Sequence, residues 1–339
     1  MQLQDFDYNL PKELIAQYPL KDRCSSRLMV LDRENKTISH KNFSDITQFF
    51  QEGDCLVLND TRVIPARLIG KRASGGKVEV FIVAQNARRS ANGLVADYPE
   101  DNYFNVLMRP LKKLKIGEEI YFDNGLKAEI ITKDKVKFNT HIFKKIYKAG
   151  QVPLPPYIKH SPNATDKKRY QTVFAKKDGA IAAPTAGLHF DKKILNAIKV
   201  NGTGISFITL HVGLGTFKPI ISENISDHKM DFETYSIPKN TLKLIMRANR
   251  VFACGTTVTR ALEAAYQNKQ LSSKTNLFIY PGFKFNVVDS IITNFHLPKS
   301  TLFLLVCAFA GRDFIMRAYQ EAIENKYRFY SYGDCMLII

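Results

Sequence analysis

Cysteine is scarce and scattered. Five thiols stand at positions 24, 55, 254, 307 and 335, an odd count with no C-x-x-C pair. That pattern argues against a disulfide framework or a zinc ribbon and predicts reduced thiols in a cytoplasmic chain. Long apolar runs are missing too. The longest, LFLLVCAFA at 302–310, falls well short of the roughly 20 residues a membrane-spanning helix needs, so no membrane partner is expected. The opening MQLQDFDYNLPKELI mixes acids with apolar residues and has no basic stretch followed by an apolar one, so no targeting segment is expected. No internal repeat or low-complexity tract is visible, and no G-x-G-x-x-G opens a helix after a strand, which speaks against a standard dinucleotide site. Acidic residues are in deficit: 32 Asp+Glu face 49 Lys+Arg, a net charge of +17 over 339 residues. Such a surface attracts polyanions, chiefly nucleic acid or an anionic membrane, unless it only reflects a lysine-rich host.

What is present divides the chain by texture. From about residue 63 to 150, short apolar–polar alternations recur (KVEVFIV, YFNVLM, EEIYFD, KAEIIT, THIFKKIY) between turn residues. Many short strands at this spacing predict a small antiparallel barrel or sandwich. After VPLPPYI at 152–158, strands alternate with helices: AIAA, FDKKILNAIKV, ISFITLHV, TLKLIMRANR, VFAC, TTVTRALEAAYQ, NLFIYP, VVDSIITNF and STLFLLVCAFAG. That alternation predicts a mainly parallel sheet covered on both faces. Residues 1–62 add a helix, KELIAQY, and the strand CLVLN. The expected architecture is therefore an α/β core assembled from both ends of the chain, 1–62 and 151–339, with a β module inserted at 63–150.

Several stretches carry chemistry. GKRASGGKV at 70–78 resembles a phosphate loop but has Val78 where a hydroxyl is needed, and it joins two strands, so a basic hairpin is expected. In FACGTTVTRALE at 252–263, a strand ends at Cys254, Gly255 turns the chain, and Thr256 and Thr257 open a helix. Free amides and two hydroxyls there suit an anion. PTAGLHF (184–190), HVGLGTF (211–217) and NFHLP (294–298) each place a histidine at a strand end, so His189, His211 and His296 are expected on one rim. DHKMDFETY at 227–235 brings His228, Asp231 and Glu233. If extended, Asp231 and Glu233 share a face, and acids beside imidazoles supply general acid–base pairs. No spacing matches a metal signature, and no metal is expected.

Together these blocks resemble the S-adenosylmethionine:tRNA ribosyltransferase-isomerase family of queuosine biosynthesis. The resemblance runs nearly end to end, through DFDYNLPKELIAQYPL, SSRLMVLDR, LVLNDTRVIPARLIGKRASGGKVEV, PLPPYI, RYQTVFA, AAPTAGLHF, TLHVGLGTFKP, FIYPGFKFNVVDSIITNFHLPKSTL and YRFYSYGD. Two departures stand out: Asp231 replaces a histidine in the family's H-x-M-H-x-E pattern, and Val258 replaces a serine. The resemblance implies an α/β core carrying an inserted barrel, a monomer, and transfer of the ribosyl part of S-adenosylmethionine to 7-aminomethyl-7-deazaguanine at the tRNA wobble position. The ribosyl group isomerises to give epoxyqueuosine-tRNA, releasing adenine and methionine. S-adenosylmethionine is then a co-substrate, and no true cofactor is implied.

That chemistry needs a base for the ribose C5′ proton beside the sulfonium, an acid to assist adenine's departure, and a neutral attacking amine. His211, His228, Glu233 and His296 are the catalytic candidates. His189, Gly213, Gly215, Gly255, Thr256 and Thr257 are candidates for binding substrate, and Arg62, Arg67, Arg72 and Lys77 for holding phosphates of the tRNA anticodon arm. The alternatives are a non-catalytic tRNA-binding protein, and a methyltransferase that would release S-adenosylhomocysteine.

Overall fold

The computed structural model describes residues 1–83, 102–140, 143–213 and 220–339. Strands β1 (Arg27–Asp32), β2 (Thr37–Asn42) and β3 (Cys55–Asn59) come from the N-terminal segment, and β4 (Thr61–Val63) leads out of it. There follow β5 (Arg67–Arg72), β6 (Lys77–Ile82), β7 (Tyr103–Arg109), β8 (Glu119–Tyr121), β9 (Lys127–Thr132), β10 (Lys135–Phe138), helix α1 (Phe143–Ala149) and β11 (Gly150–Gln151). The chain then forms α2 (Ala164–Arg169), β12 (Lys177–Ala180), α3 (Lys192–Val200), β13 (Gly204–Leu210), β14 (Glu233–Ser236), α4 (Lys239–Ile245) and β15 (Val251–Cys254). It ends with α5 (Thr256–Asn268), β16 (Ser272–Thr275), β17 (Ser290–Asn294), α6 (Thr301–Ala310), α7 (Arg312–Glu324) and β18 (Cys335–Ile338).

Nine of these strands form one sheet in the order β16-β14-β13-β3-β15-β17-β18-β1-β2. The block β13-β3-β15-β17 is parallel throughout, and β18 and β1 are parallel to each other. The α/β core with a largely parallel sheet is thus as expected, with antiparallel pairs at both edges and where β17 meets β18. Period-two alternation sends the strands' side chains to two separate cores. Met29, Leu31, Val57 and Ala253 face α5, α6 and α7. Leu28, Val30, Leu56 and Phe252 face Phe43, Phe190 and α3. Helix α6 is apolar all round because it is covered on nearly every side. Ser300 caps it by accepting from the Phe303 amide at 3.2 Å, and Gly311, at φ +92, turns the chain directly into α7.

Strands β5 to β10 form the closed antiparallel barrel, in the order β5-β6-β7-β10-β9-β8 with β8 closing onto β5. Alternate residues such as Val78, Val80, Phe104 and Val106 fill its interior. The expected basic hairpin is β5–β6, turned at Gly75 with φ +83. Strand β11 pairs back onto β5, Gln151 opposite Arg67, so the barrel's entry and exit lie side by side.

Four local expectations fail. KELIAQY is only a short 3₁₀ turn at Lys12–Leu14, because Pro11 and Pro19 bracket too little chain for a helix to nucleate. THIFKKIY holds helix α1 instead of a strand; its apolar spacing fits either period, and the barrel is already closed without it. AIAA contributes only its first residue, Ala180, to β12, and NLFIYP follows β16 as irregular chain. NLFIYP is held from outside: the Arg260 guanidinium donates to the Leu277 carbonyl at 3.0 Å.

Candidate active site

Four parallel strands deliver four corners to one edge of the sheet. Strand β3 ends into Asp60 and Thr61, β13 into His211, β15 into Gly255, and β17 into His296. Because β18 runs antiparallel to β17, with Cys335 opposite Asn294, the segment Tyr330–Asp334 arrives at the same edge. Strand β1, parallel to β18, begins there too, which brings Arg23 and Ser26 to this rim. A crevice between β13, β15 and β17 is lined by Pro184, Thr256, Thr257, Asn294, His296 and Ser331 among others.

Gly255 holds φ +94 and ψ 154, a backbone state that side chains oppose, and so turns β15 abruptly into α5. The first amides of α5 therefore open into the crevice beside two threonine hydroxyls. The Thr257 hydroxyl is buried, 7 % exposed, and has no hydrogen-bond partner among the described residues. The side-chain oxygen of Asn294, a residue 2 % exposed, is likewise unpaired. Buried polar atoms are usually paired, and two unpaired ones at the lip of one crevice make it the candidate ligand site.

Asn294 is held from its other end. Its amide nitrogen donates to His189 Nε2 at 3.1 Å and to the Tyr330 carbonyl at 3.0 Å. His189 Nε2 thus accepts, and its Nδ1 carries the proton and donates to Ser26 Oγ at 2.7 Å. Burial, with the nearby Arg23 charge, pushes the His189 pKa down to about 3, so the ring stays neutral. His296 is also buried; burial pushes its pKa down to about 3, and its Nε2 lies 3.0 Å from Thr293 Oγ1.

His211 has a different set of partners. Its Nδ1 meets Thr61 Oγ1 at 2.8 Å, and it packs over Gly179, where a Cβ would come within 2.8 Å of the ring. Burial lowers its pKa, opposed by Asp60 and Asp178. The expectation that three histidines share one rim is therefore met in part. His189 and His296 flank Asn294, and His211 joins the crevice only through its neighbour Val212.

Asp231 and Glu233 do not share a face: Asp231 is exposed, while Glu233 is buried where β14 starts. The Arg260 guanidinium donates to Glu233 Oε2 at 2.5 Å, and Glu233 Oε1 accepts from the Gly213 amide at 3.1 Å. With both side chains about 3 % exposed, this ion pair anchors the chain just after His211. His228 is half-buried with its ring edge-on to Phe278, and burial lowers its pKa against the opposing charge of Asp231. Gly215 lies outside the described residues. Of the basic candidates, Arg67 and Arg72 are tied to Glu79 at 2.6 Å and Glu118 at 2.5 Å, and Arg62 lies 3.7 Å from Asp178. Lys77 is exposed on the barrel.

Comparison with known proteins decides the family. A family model described as "Queuosine biosynthesis protein" matches residues 3–338. The chain belongs to that family. It is 49 % identical to the S-adenosylmethionine:tRNA ribosyltransferase-isomerase of Sulfurihydrogenibium sp. (strain YO3AOP1), with all of both chains covered. It is 48 % identical, again over the full length of both, to the protein of that name from Caldanaerobacter subterraneus subsp. tengcongensis. Among solved structures it is similar to the S-adenosylmethionine tRNA ribosyltransferase of Thermotoga maritima, at 35 % identity and a TM-score of 0.56, with 99 % of this chain and 100 % of that one covered.

Motif reading missed Asn294, Arg260 and Ser331 as site residues. Asn294 looks like the last residue of a strand, and Arg260 like an ordinary helical position. Only the fold turns one into the crevice and the other onto Glu233.

Proposed function

We propose that this queuosine-family protein transfers and isomerises the ribosyl moiety of S-adenosylmethionine onto 7-aminomethyl-7-deazaguanine at the wobble position of tRNA. The products are epoxyqueuosine-tRNA, adenine and methionine. The observation that carries the reaction is full-length similarity to relatives bearing that name. S-adenosylmethionine occupies the crevice, its methionine carboxylate on the α5 amides and the Thr256 and Thr257 hydroxyls, where the helix dipole favours negative charge. The unpaired Thr257 hydroxyl and Asn294 oxygen support this placement.

The chemistry breaks the N-glycosidic bond to adenine and the C5′–sulfur bond to methionine, and the incoming amine attacks as a neutral base. The sulfonium acidifies the C5′ proton. His211, close to Thr61 and to the acids Asp60 and Asp178, is the acid–base candidate. His296 serves as a neutral hydrogen-bonding group in the crevice, and His189 positions Asn294. Glu233 and Arg260 hold Gly213 and, through it, the approach to the ribose. His228 lies at the outer margin of the site. The protein acts as a monomer in the cytoplasm and needs no metal.

The deciding experiment incubates the protein with S-adenosylmethionine and tRNA carrying the aminomethyl precursor and analyses the products. Adenine and methionine are expected in equal amounts. S-adenosylhomocysteine would identify a methyltransferase, and binding without turnover a non-catalytic tRNA-binding protein. His211→Ala should slow single-turnover adenine release by about 10²–10⁴ with folding intact. Near-normal turnover would remove His211 from the chemistry.

A further inference from the structure

The arginines expected to meet RNA on the barrel already have carboxylate partners, whereas three others have none within salt-bridge distance among the described residues. Arg23 donates to the carbonyls of Leu188, Lys168 and Gln171 at 3.0, 3.2 and 2.7 Å. Arg169 donates to the carbonyls of Leu20 and Lys21, both at 2.6 Å. Arg328 donates to the carbonyl of Tyr18. These bonds fix three guanidiniums in place with neutral acceptors, so carboxylates offset their charge only from a distance. Arg169 Nε and Arg328 Nη1 are buried and have no acceptor at all among the described residues. Asp22 acts on Arg169 from a distance without a salt bridge to it among the described residues, and three other nearby acids are otherwise engaged. Asp166 accepts from Tyr332 Oη at 2.8 Å and from the Asn163 amide at 3.0 Å. Asp334 accepts from the amides of Arg27 and Arg328 at 3.0 and 2.8 Å, and Asp191 caps α3. Mutual repulsion follows: burial and the Arg169 charge together push the Arg23 pKa down to about 10.

The surface around these groups has the other half of an RNA site. Tyr18 is 58 % exposed and lies stacked on His160, with ring centroids 4.5 Å apart and planes 9° from parallel. His160 is braced by the Gln17 carbonyl at 3.0 Å and by Asp166 at 3.5 Å. Lys21, Lys159, Lys167 and Lys168 are exposed beside them. A shallow pocket bounded by Arg23, Arg169 and His189 shares Ser331 with the substrate crevice, so the patch continues the reactive site outwards.

We propose that Arg23, Arg169 and Arg328, with the Tyr18–His160 stack, form the RNA-contacting surface of this protein. The guanidiniums hold phosphodiesters flanking the nucleotide that enters the crevice, and the outer face of Tyr18 stacks on a neighbouring anticodon-loop base. The physical basis is general. Fixed guanidiniums bind phosphate in a forked geometry. Exposed aromatic faces stack on unpaired bases irrespective of sequence. A base extruded for modification must also have its backbone held on both sides. The inference rests on the tRNA reading above and adds the place where the RNA lies.

The test measures affinity for an anticodon stem-loop carrying 7-aminomethyl-7-deazaguanine between 50 and 500 mM salt. S-adenosylmethionine binding is measured in parallel by calorimetry. Arg23→Gln and Arg328→Gln should each weaken RNA binding about tenfold at low salt and reduce the salt slope by about 0.7 for each phosphate no longer neutralised. Tyr18→Ala should weaken it about tenfold with little change in slope. Because the arginines also brace backbone, Lys168→Glu and Tyr18→Ala, both at exposed positions, serve as variants that keep the fold. S-adenosylmethionine affinity should not change in any of them. Wild-type RNA affinity and slope in all four, with the loss found instead in the barrel variant Lys77→Glu, would overturn the proposal. Loss of RNA affinity in the patch variants supports it even if the wild type releases no adenine, a result that would overturn only the assigned reaction.

Discussion

At the scale of single residues, unmet hydrogen-bonding capacity separates ligand groups from structural ones. The Thr257 hydroxyl is buried and unpaired, so the empty protein gains nothing from it. Thr257→Val should leave the melting temperature without ligand unchanged or slightly raised. It should weaken S-adenosylmethionine binding by the 0.5–1.5 kcal/mol of one hydrogen bond, about two- to tenfold, as read by calorimetry. Unchanged binding would make this threonine a packing residue. His189 and His296 predict a pH dependence. Burial holds both far below the ordinary histidine pKa of 6.5, at about 3 in the fold. The unfolded chain therefore takes up protons that the folded chain refuses. Stability is fully present above pH 6.5 and is lost as pH falls from there towards 3, with a slope of up to about 1.4 kcal/mol per pH unit for each ring. Urea unfolding at pH 7, 6 and 5 should show the decline. His189→Gln should reduce the slope by about half, leaving the His296 contribution, and a flat wild-type profile would contradict the neutral assignment.

At the scale of elements, the turn from β15 into α5 decides whether the crevice exists. A Cβ at Gly255 would meet Ala186 Cβ at 3.5 Å, an ordinary contact, so space is not the obstacle. The obstacle is the backbone, which at φ +94 and ψ 154 lies in a region almost restricted to glycine. Gly255→Ala should cost about 1–3 kcal/mol in stability and re-aim the α5 amides, so that S-adenosylmethionine binding falls more than the melting temperature suggests. Denaturant titration and calorimetry on one variant check both. Sequence reading identified this element because strand, glycine and paired threonines are all local. It misjudged DHKMDFETY, because burial of Glu233 depends on Arg260 from a helix that no spacing rule connects to it.

At the scale of the molecule, the barrel is built as a closed unit whose ends meet at Arg67 and Gln151. Its interior comes from its own strands together with Ile64, Ala66, Ile146 and Ile181. A fragment spanning 64–151 should fold alone, with a β-type circular dichroism spectrum and a cooperative melt. A non-cooperative melt would mean that Ile181 and the core are required. The net charge of +17 acts at this scale as well. It draws RNA towards the surface but does not say where on that surface RNA is held. In the barrel, Arg67 and Arg72 pair with Glu79 and Glu118; beside the crevice, Arg23, Arg169 and Arg328 reach only carbonyls.

The sequence by itself determined the elements whose causes are local: the apolar alternation of the barrel strands and the glycine–threonine entry to α5. It also carried the family, because long blocks of side chains recur in order along the whole chain. Only the tertiary structure decided which polar groups are left unpaired and which charges are neutralised. Those outcomes depend on neighbours brought together from residues far apart in the chain. The Asn294 oxygen is left without a partner among the described residues because His189 and the Tyr330 carbonyl take up its amide nitrogen. Arg23 stands at the edge where the crevice opens because the antiparallel junction of β17 and β18 carries β1, and the arginine before it, to that edge.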